Sequence, residues 1–138
     1  MFLLDTDVLS ALRRRERNPA VVRWVGSQRD ADLYLSVITI GEVERGISLQ
    51  RERDPEFART LGQWLDAVLS RYGDHVLPVD IATARRWSRL SAHMGNNSAD
   101  GMIAATALEH GLTVVTRNIR HFEPTGVPVI DPGAAATP

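Results

Sequence analysis

Short apolar runs alternate with longer stretches whose apolar residues recur every three or four positions. Phe2-Leu3-Leu4 reads as a strand ended by Asp5 and followed by a helix through about Arg14. Asn18-Pro19 supplies a cap and a first-turn proline for a helix through about Arg29, with Val21, Val22 and Val25 on one face. Leu33 to Ser36 is the second strand. Helices follow from about Ile38 to Arg51 and from Asp54-Pro55 to about Arg71. Val76 to Val79 reads as a third strand and Ile81 to His93 as a helix. Ser98 caps a further helix that stops near Gly111, where a glycine suits the C′ position. Leu112 to Val115 is the fourth strand and Val127 to Ile130 a short last one. No repeat or linker interrupts the pattern, so residues 1–132 are expected to form one domain, with 133–138 a disordered tail.

Strands alternating with helices imply βαβ units. The expected fold is α/β, with a short, mostly parallel, twisted sheet flanked by helices on both faces. Ligands of open α/β sheets bind at the carboxyl ends of the strands, where loops and helix N-termini converge. That rule selects Asp5, Thr6 and Asp7 after the first strand, Glu42 in the helix after the second, and Thr116, Arg117 and Asn118 after the fourth. Asp100 falls in the first turn of the helix before the fourth strand, where the rule alone does not place it.

Composition narrows the chemistry. A chain of 138 residues with 43% apolar and 24% charged residues suits one ordinary hydrophobic core. No segment approaches the roughly 18 apolar residues of a membrane span, and MFLLD lacks the basic start and apolar core of a signal peptide. A cytoplasmic protein is the expectation. With no cysteine, disulfides, zinc thiolates and thiol nucleophiles drop out. The 16 basic residues are all arginine, so lysine-dependent phosphate loops and Schiff-base chemistry drop out as well. A net charge of −1 gives no strong field toward nucleic acid, and Arg13, Arg14, Arg15 and Arg17 read as a solvated helix end facing the C-terminal dipole. Trp24, Trp64 and Trp87 fall on helices and read as core or dimer contacts, and the four histidines show no ligand spacing.

Three separated carboxylates without thiol or amine partners suggest a hard cation held by oxygen, such as Mg²⁺ or Mn²⁺. Each has an alternative. Asp5 suits a helix cap, Asp100 suits the dipole of a first helical turn, and Glu42 stands three positions before Arg45 and suits an exposed ion pair. Gly41 and Gly46 weaken the helix around Glu42, which suggests that something approaches that face closely.

The strings LLDTDVLS, SVITIGEVERGI and SADGMIAATALEHGLTVVTRNIRHF together closely resemble the PIN-domain family, specifically its VapC and FitB-like toxins. The resemblance runs from about Phe2 to about Pro132. It implies a PIN-like fold, a divalent metal site with Mg²⁺ or Mn²⁺, endonucleolytic cleavage of RNA, a homodimer, and a cognate VapB-like or FitA-like antitoxin. Asp5, Glu42 and Asp100 match the family's three acidic positions, Thr6 follows the first, and Thr116 matches a hydroxyl near the site. On that reading Asp5 and Asp100 hold the ion, with Glu42 directly or through water, and a water deprotonated there attacks a phosphodiester in line. Arg117 is the candidate for substrate phosphate.

The chain departs from the pattern at Asn118, where many relatives carry an acid, and at His121, where others have aspartate. Asn118 is therefore expected to serve a second metal position only weakly, and Asp7, often asparagine in relatives, is given no fixed role. Two rival readings remain. One is a PIN-like module that binds RNA or protein without cutting. The other is a phosphatase of the DxDx[TV] type, with Asp5 as nucleophile and Asp7 as acid/base, although such chemistry normally uses a lysine.

Overall fold

The computed structural model describes residues 1–95 and 98–135. Five parallel strands form one sheet in the order β3-β2-β1-β4-β5, with β1 Phe2–Leu4, β2 Leu33–Ser36, β3 Val76–Leu77, β4 Thr113–Val115 and β5 Val129–Ile130. The chain starts at the centre, builds outward through β2 and β3, then crosses back to add β4 and β5 on the other side of β1. The strand order therefore reverses between β1 and β4, which makes a crevice at their carboxyl ends.

Alternation along each strand sends side chains to opposite faces. Leu4, Leu33, Leu35 and Val115 enter one core with α1 (Thr6–Arg13), α2 (Pro19–Gly26) and part of α4 (Pro55–Tyr72). Leu3 and Val114 enter a second core with α6 (Ala99–His110), Phe122 and Val127. The helices thus lie on both faces, as the pattern of the sequence implies. A third, smaller cluster of Ile47, Ala58 and Leu65 joins α4 to α3 (Val37–Arg53). Helix α5 (Ile81–Met94) packs along α6, and Trp87 lies against Gly101.

Local signals act as expected at several ends. Asp54 caps α4 by accepting from Phe57 N at 3.1 Å, Pro55 opens that helix, and Ser98 stands at the N-cap position of α6. Gly111 takes φ +66° after α6, and Leu112 N donates to Ala107 O at 2.8 Å. Other boundaries move. α2 stops at Gly26 rather than near Arg29, and Asp30–Asp32 form a short 3-10 turn. β3 ends at Leu77 because Pro78 has no N–H to donate to a ladder. A short helix, α7 (Ile119–Phe122), follows β4 where none is expected. The expected tail begins instead as a turn of helix, α8 (Pro132–Ala135), seated against α2 with Pro132 buried. Residues 136–138 of that tail lie outside the described residues.

Gly41 and Gly46 do not mark a close approach within the chain, since a Cβ at either would meet nothing within 4 Å. Replacing Gly46 by alanine is therefore expected to stabilise α3 by about 0.5–1 kcal/mol. Gly111→Ala, which forces a Cβ into the left-handed region, is expected to cost about 1 kcal/mol. Denaturant melts of the two variants, read for opposite shifts in midpoint, check both.

Candidate active site

Asp5 sits where the crevice opens. Its backbone N donates to Val115 O at 2.9 Å, which extends the β1/β4 ladder one residue beyond the strands. The side chain is only 4% exposed. Oδ1 accepts from Thr6 N at 2.8 Å and Oδ2 accepts from the Thr116 hydroxyl at 2.9 Å. Asp5 is thus the N-cap of α1, as its alternative reading proposed, and also a buried carboxylate shared between two strand ends. Thr116 is pinned in turn, because its Oγ1 accepts from Asn118 N at 2.9 Å.

Asp100 reaches this crevice by a simple rule of βαβ connections. A helix that returns along the sheet runs against the strands, so the first turn of α6 lies at their carboxyl ends even though the helix precedes β4. Burial, the charge of Asp7 and, more weakly, that of Asp100 push the Asp5 carboxyl up to about 7, against the lowering effect of its bonds from Thr116 and Thr6. Asp100 Oδ2 stands 3.2 Å from His121 Nδ1, so the histidine faces this carboxylate.

Glu42 joins through Thr6. The Thr6 hydroxyl donates to Glu42 Oε1 at 2.6 Å and shares a hydrogen bond of 3.0 Å with the Thr39 hydroxyl. Ser36 Oγ accepts from Ile38 N at 3.0 Å and starts α3, which sets Thr39 and Glu42 on one face, three residues apart. Among the described residues Glu42 forms no ion pair with Arg45. Thr39, fully buried, is the residue here that the sequence reading did not select. A threonine one turn before Glu42 is the signal that points to it.

Asp7 and Arg117 form a clasp beside the site. Asp7 Oδ2 accepts from Arg117 Nε at 3.2 Å and from its backbone N at 3.3 Å. Arg117 Nη1 donates to Asn18 Oδ1 at 2.9 Å, and Nη2 donates to Asp7 O at 3.2 Å. Asn18 in turn donates to Ala11 O and Arg14 O at the end of α1. Asp7 Oδ1 is buried with no hydrogen-bond partner. Arg117, the candidate phosphate ligand, thus has its guanidinium engaged by α1 and Asn18. Asn118 is exposed and occupies the N-cap position of α7.

Among the described residues no three carboxylates or histidines stand close enough together to form a ready-made cation nest. The donor set nevertheless suits Mg²⁺, which takes one or two carboxylates and keeps several waters. Asp5 is crowded by two other carboxylates, and Asp7 Oδ1 beside it is orphaned, a concentration of negative charge that a hard cation relieves.

The pH dependence of stability has a definite sign. Unfolded, Asp5 ionises near its ordinary value of 3.8, whereas folded it keeps its proton to about 7. Folding favours the protonated form, so this stabilising contribution is complete below about 3.8 and is lost as pH rises toward about 7. Asp5→Asn in metal-free protein should raise the melting temperature by several degrees at about pH 8 and by much less at about pH 5. Thermal melts in chelator measure this, and equal offsets at both values would show that Asp5 is not the group responsible.

The sequence model of the PIN domain, described as such, matches residues 2–126. VapC ribonuclease Y4jK of Sinorhizobium fredii is 36% identical over 140 residues, covering 96% of this chain and 97% of that protein. Toxin FitB of Neisseria gonorrhoeae is 34% identical over 138 residues, covering 96% and 98%. The crystal structure of FitAcB from Neisseria gonorrhoeae superposes with a TM-score of 0.85 at 35% identity, covering 96% of this chain and 98% of the other. With the match extending from β1 past α7, and with relatives more than 30% identical over nearly the whole chain, this chain belongs to the PIN-domain family.

Proposed function

We propose that the chain is a Mg²⁺-dependent endoribonuclease that acts as the toxin of a toxin–antitoxin pair. The observation that carries this reading is Asp5 itself, buried at the strand-order reversal, driven up to about 7 by burial and by the neighbouring carboxylates Asp7 and Asp100, and linked through Thr6 to Glu42. The relatives named a VapC ribonuclease and toxin FitB support the substrate and the biological role.

Asp5 and Asp100 would hold the ion, with Glu42 acting through water and Asn118 offering an uncharged oxygen to a weaker second position. Mn²⁺ substitutes by the same oxygen chemistry. When bound, the ion supplies an activated water and neutralises charge developing on the phosphoryl oxygens. Thr116 and the Thr6 backbone keep Asp5 in one rotamer, and Thr39 and the Thr6 hydroxyl fix Glu42. Burial at the fork excludes bulk water from Asp5 and strengthens each of these interactions.

A cognate antitoxin of the VapB or FitA kind would silence this site by presenting a basic side chain, best an arginine, to the surplus of carboxylates. The homodimer implied by the family resemblance belongs to the same proposal. A non-cutting PIN-like module is the second reading, favoured by Asn118 and by the open spacing of the carboxylates. The phosphatase reading loses its acid/base, because Asp7 is clasped by Arg117.

Asp5→Asn and Asp100→Asn should each reduce RNA cleavage by about a hundredfold or more while the fold is kept. Gel assays with Mg²⁺ and with chelator, beside circular dichroism, decide the matter. Cleavage by either variant at the parent rate would refute the site, and a folded parent that never cuts RNA would favour the second reading. Asn118→Asp should lower the Mg²⁺ concentration for half-maximal cleavage, whereas coincident titration curves would place Asn118 away from the ion.

A further inference from the structure

The arginine cluster at the end of α1 reads from sequence as a solvated helix end, but the fold gives it another setting. A groove of about 610 Å³ begins at Thr6 and Glu42 and runs past Arg13, Arg14 and Arg17. Its apolar side includes the half-buried rings of Phe57 and Trp64 from α4. Arg14 and Arg17 are exposed, and among the described residues neither they nor Arg13 has a carboxylate within ion-pair distance. Arg13 lies 5.4 Å above the Phe57 ring, and its guanidinium is held below its ordinary value by burial and then by the charges of Arg14 and Arg17. Three like charges therefore crowd one wall without compensation. A second groove of about 340 Å³ is lined by Arg117, Arg120 and His121 together with Asp131, so its charge is mixed, unlike that of the Arg13-Arg14-Arg17 wall.

From this placement we propose that the Arg13-Arg14-Arg17 groove seats the single-stranded RNA adjoining the scissile phosphate, with guanidiniums on its phosphates and its bases against Phe57 and Trp64. The inference rests on the ribonuclease reading and names how that site holds its substrate. The carboxylates at one end repel a polyanion, and a strand that crosses them must be held by cations alongside. Charge alone would suit a duplex equally well. The rings decide for a single strand, because a duplex presents only backbone and groove edges, whereas unpaired bases stack on aromatic faces. Arg13, already over Phe57, adds a cation to that platform.

The test measures anisotropy of a fluorescein-labelled, mixed-sequence oligoribonucleotide, single-stranded or annealed, against the Asp100→Asn protein, which leaves the probe uncut. Arg14→Gln and Arg17→Gln should each weaken single-strand binding several-fold and reduce the slope of log affinity against log salt by about 0.7. Arg23→Gln, which removes an exposed charge from α2 outside the groove, should change neither. Trp64→Leu should weaken single-strand binding about fivefold or more and leave duplex binding unchanged. In the otherwise parental enzyme the arginine variants should raise KM for cleavage with kcat retained.

Arginine variants that match Arg23→Gln in affinity and salt slope would overturn the proposal, and so would equal losses for strand and duplex. Weakened binding of only the protein encoded by the adjoining reading frame, with RNA binding intact, would also overturn it and assign the groove to that partner. Loss of strand binding in the variants of a parent that binds but never cuts would refute the ribonuclease reading and leave the RNA track standing.

Discussion

Burying a carboxylate between two strand ends is costly unless hydrogen bonds replace lost water or the group gives up its charge. Asp5 does some of each. Its oxygens accept from Thr6 N and from Thr116, and it still holds its proton to about 7. The site follows from that placement. Register between Leu4 and Val115 puts Asp5 beside Thr116, and the reversal of strand order there leaves a crevice rather than another helix above them. The bond that starts α1 also orients the carboxylate, so the capping role of Asp5 is compatible with the active-site role proposed for it.

Asp7 shows how a second acid is tolerated so close by. Arg117 spends its backbone N–H and its guanidinium on Asp7 and Asn18, and Asn18 closes the far end of α1. One arginine therefore ties the loop after β4 to both ends of α1. The salt bridge is 21% exposed on the Asp7 side, so it is screened only in part and its value lies in geometry as well as charge. One Asp7 oxygen is left buried without a partner, and the charge of Asp7 adds to the burial that keeps Asp5 protonated.

The alternation of strands with helices and the layers they form were legible because the signals were periodic, whereas the strand order came only with the structure. Leu3 and Leu4 face opposite cores, as period two demands, and caps such as Asp54-Pro55 and Gly111 fell where local backbone chemistry puts them. Asp5, Thr6, Glu42 and Thr116 were legible as strand-end or helix-start residues. Asp100 needed the topology, because only the direction of α6 against the sheet brings its first turn to the crevice. Thr39 was not legible, since its role depends on a hydroxyl reaching across to Thr6 from another helix. Residues 119–122 were missed because four residues are too few to show a helical period. The engagement of Arg117 was likewise invisible, because its partners lie 99 and 110 positions away in sequence.

Net charge was the least informative of the sequence quantities, and the structure shows why. A sum of −1 describes a mixture, whereas association responds to how charge is arranged over the distance at which salt screens it, about 8–10 Å. Here the arrangement is segregated. Asp5, Asp7, Asp100 and Glu42 gather at the carboxyl end of the sheet, while Arg13, Arg14 and Arg17 crowd the adjoining wall. The acidic end favours a small cation over a phosphodiester, and the basic wall favours the reverse. On the proposed reading an anionic chain would have to satisfy the wall and the cation together, which no summed charge records.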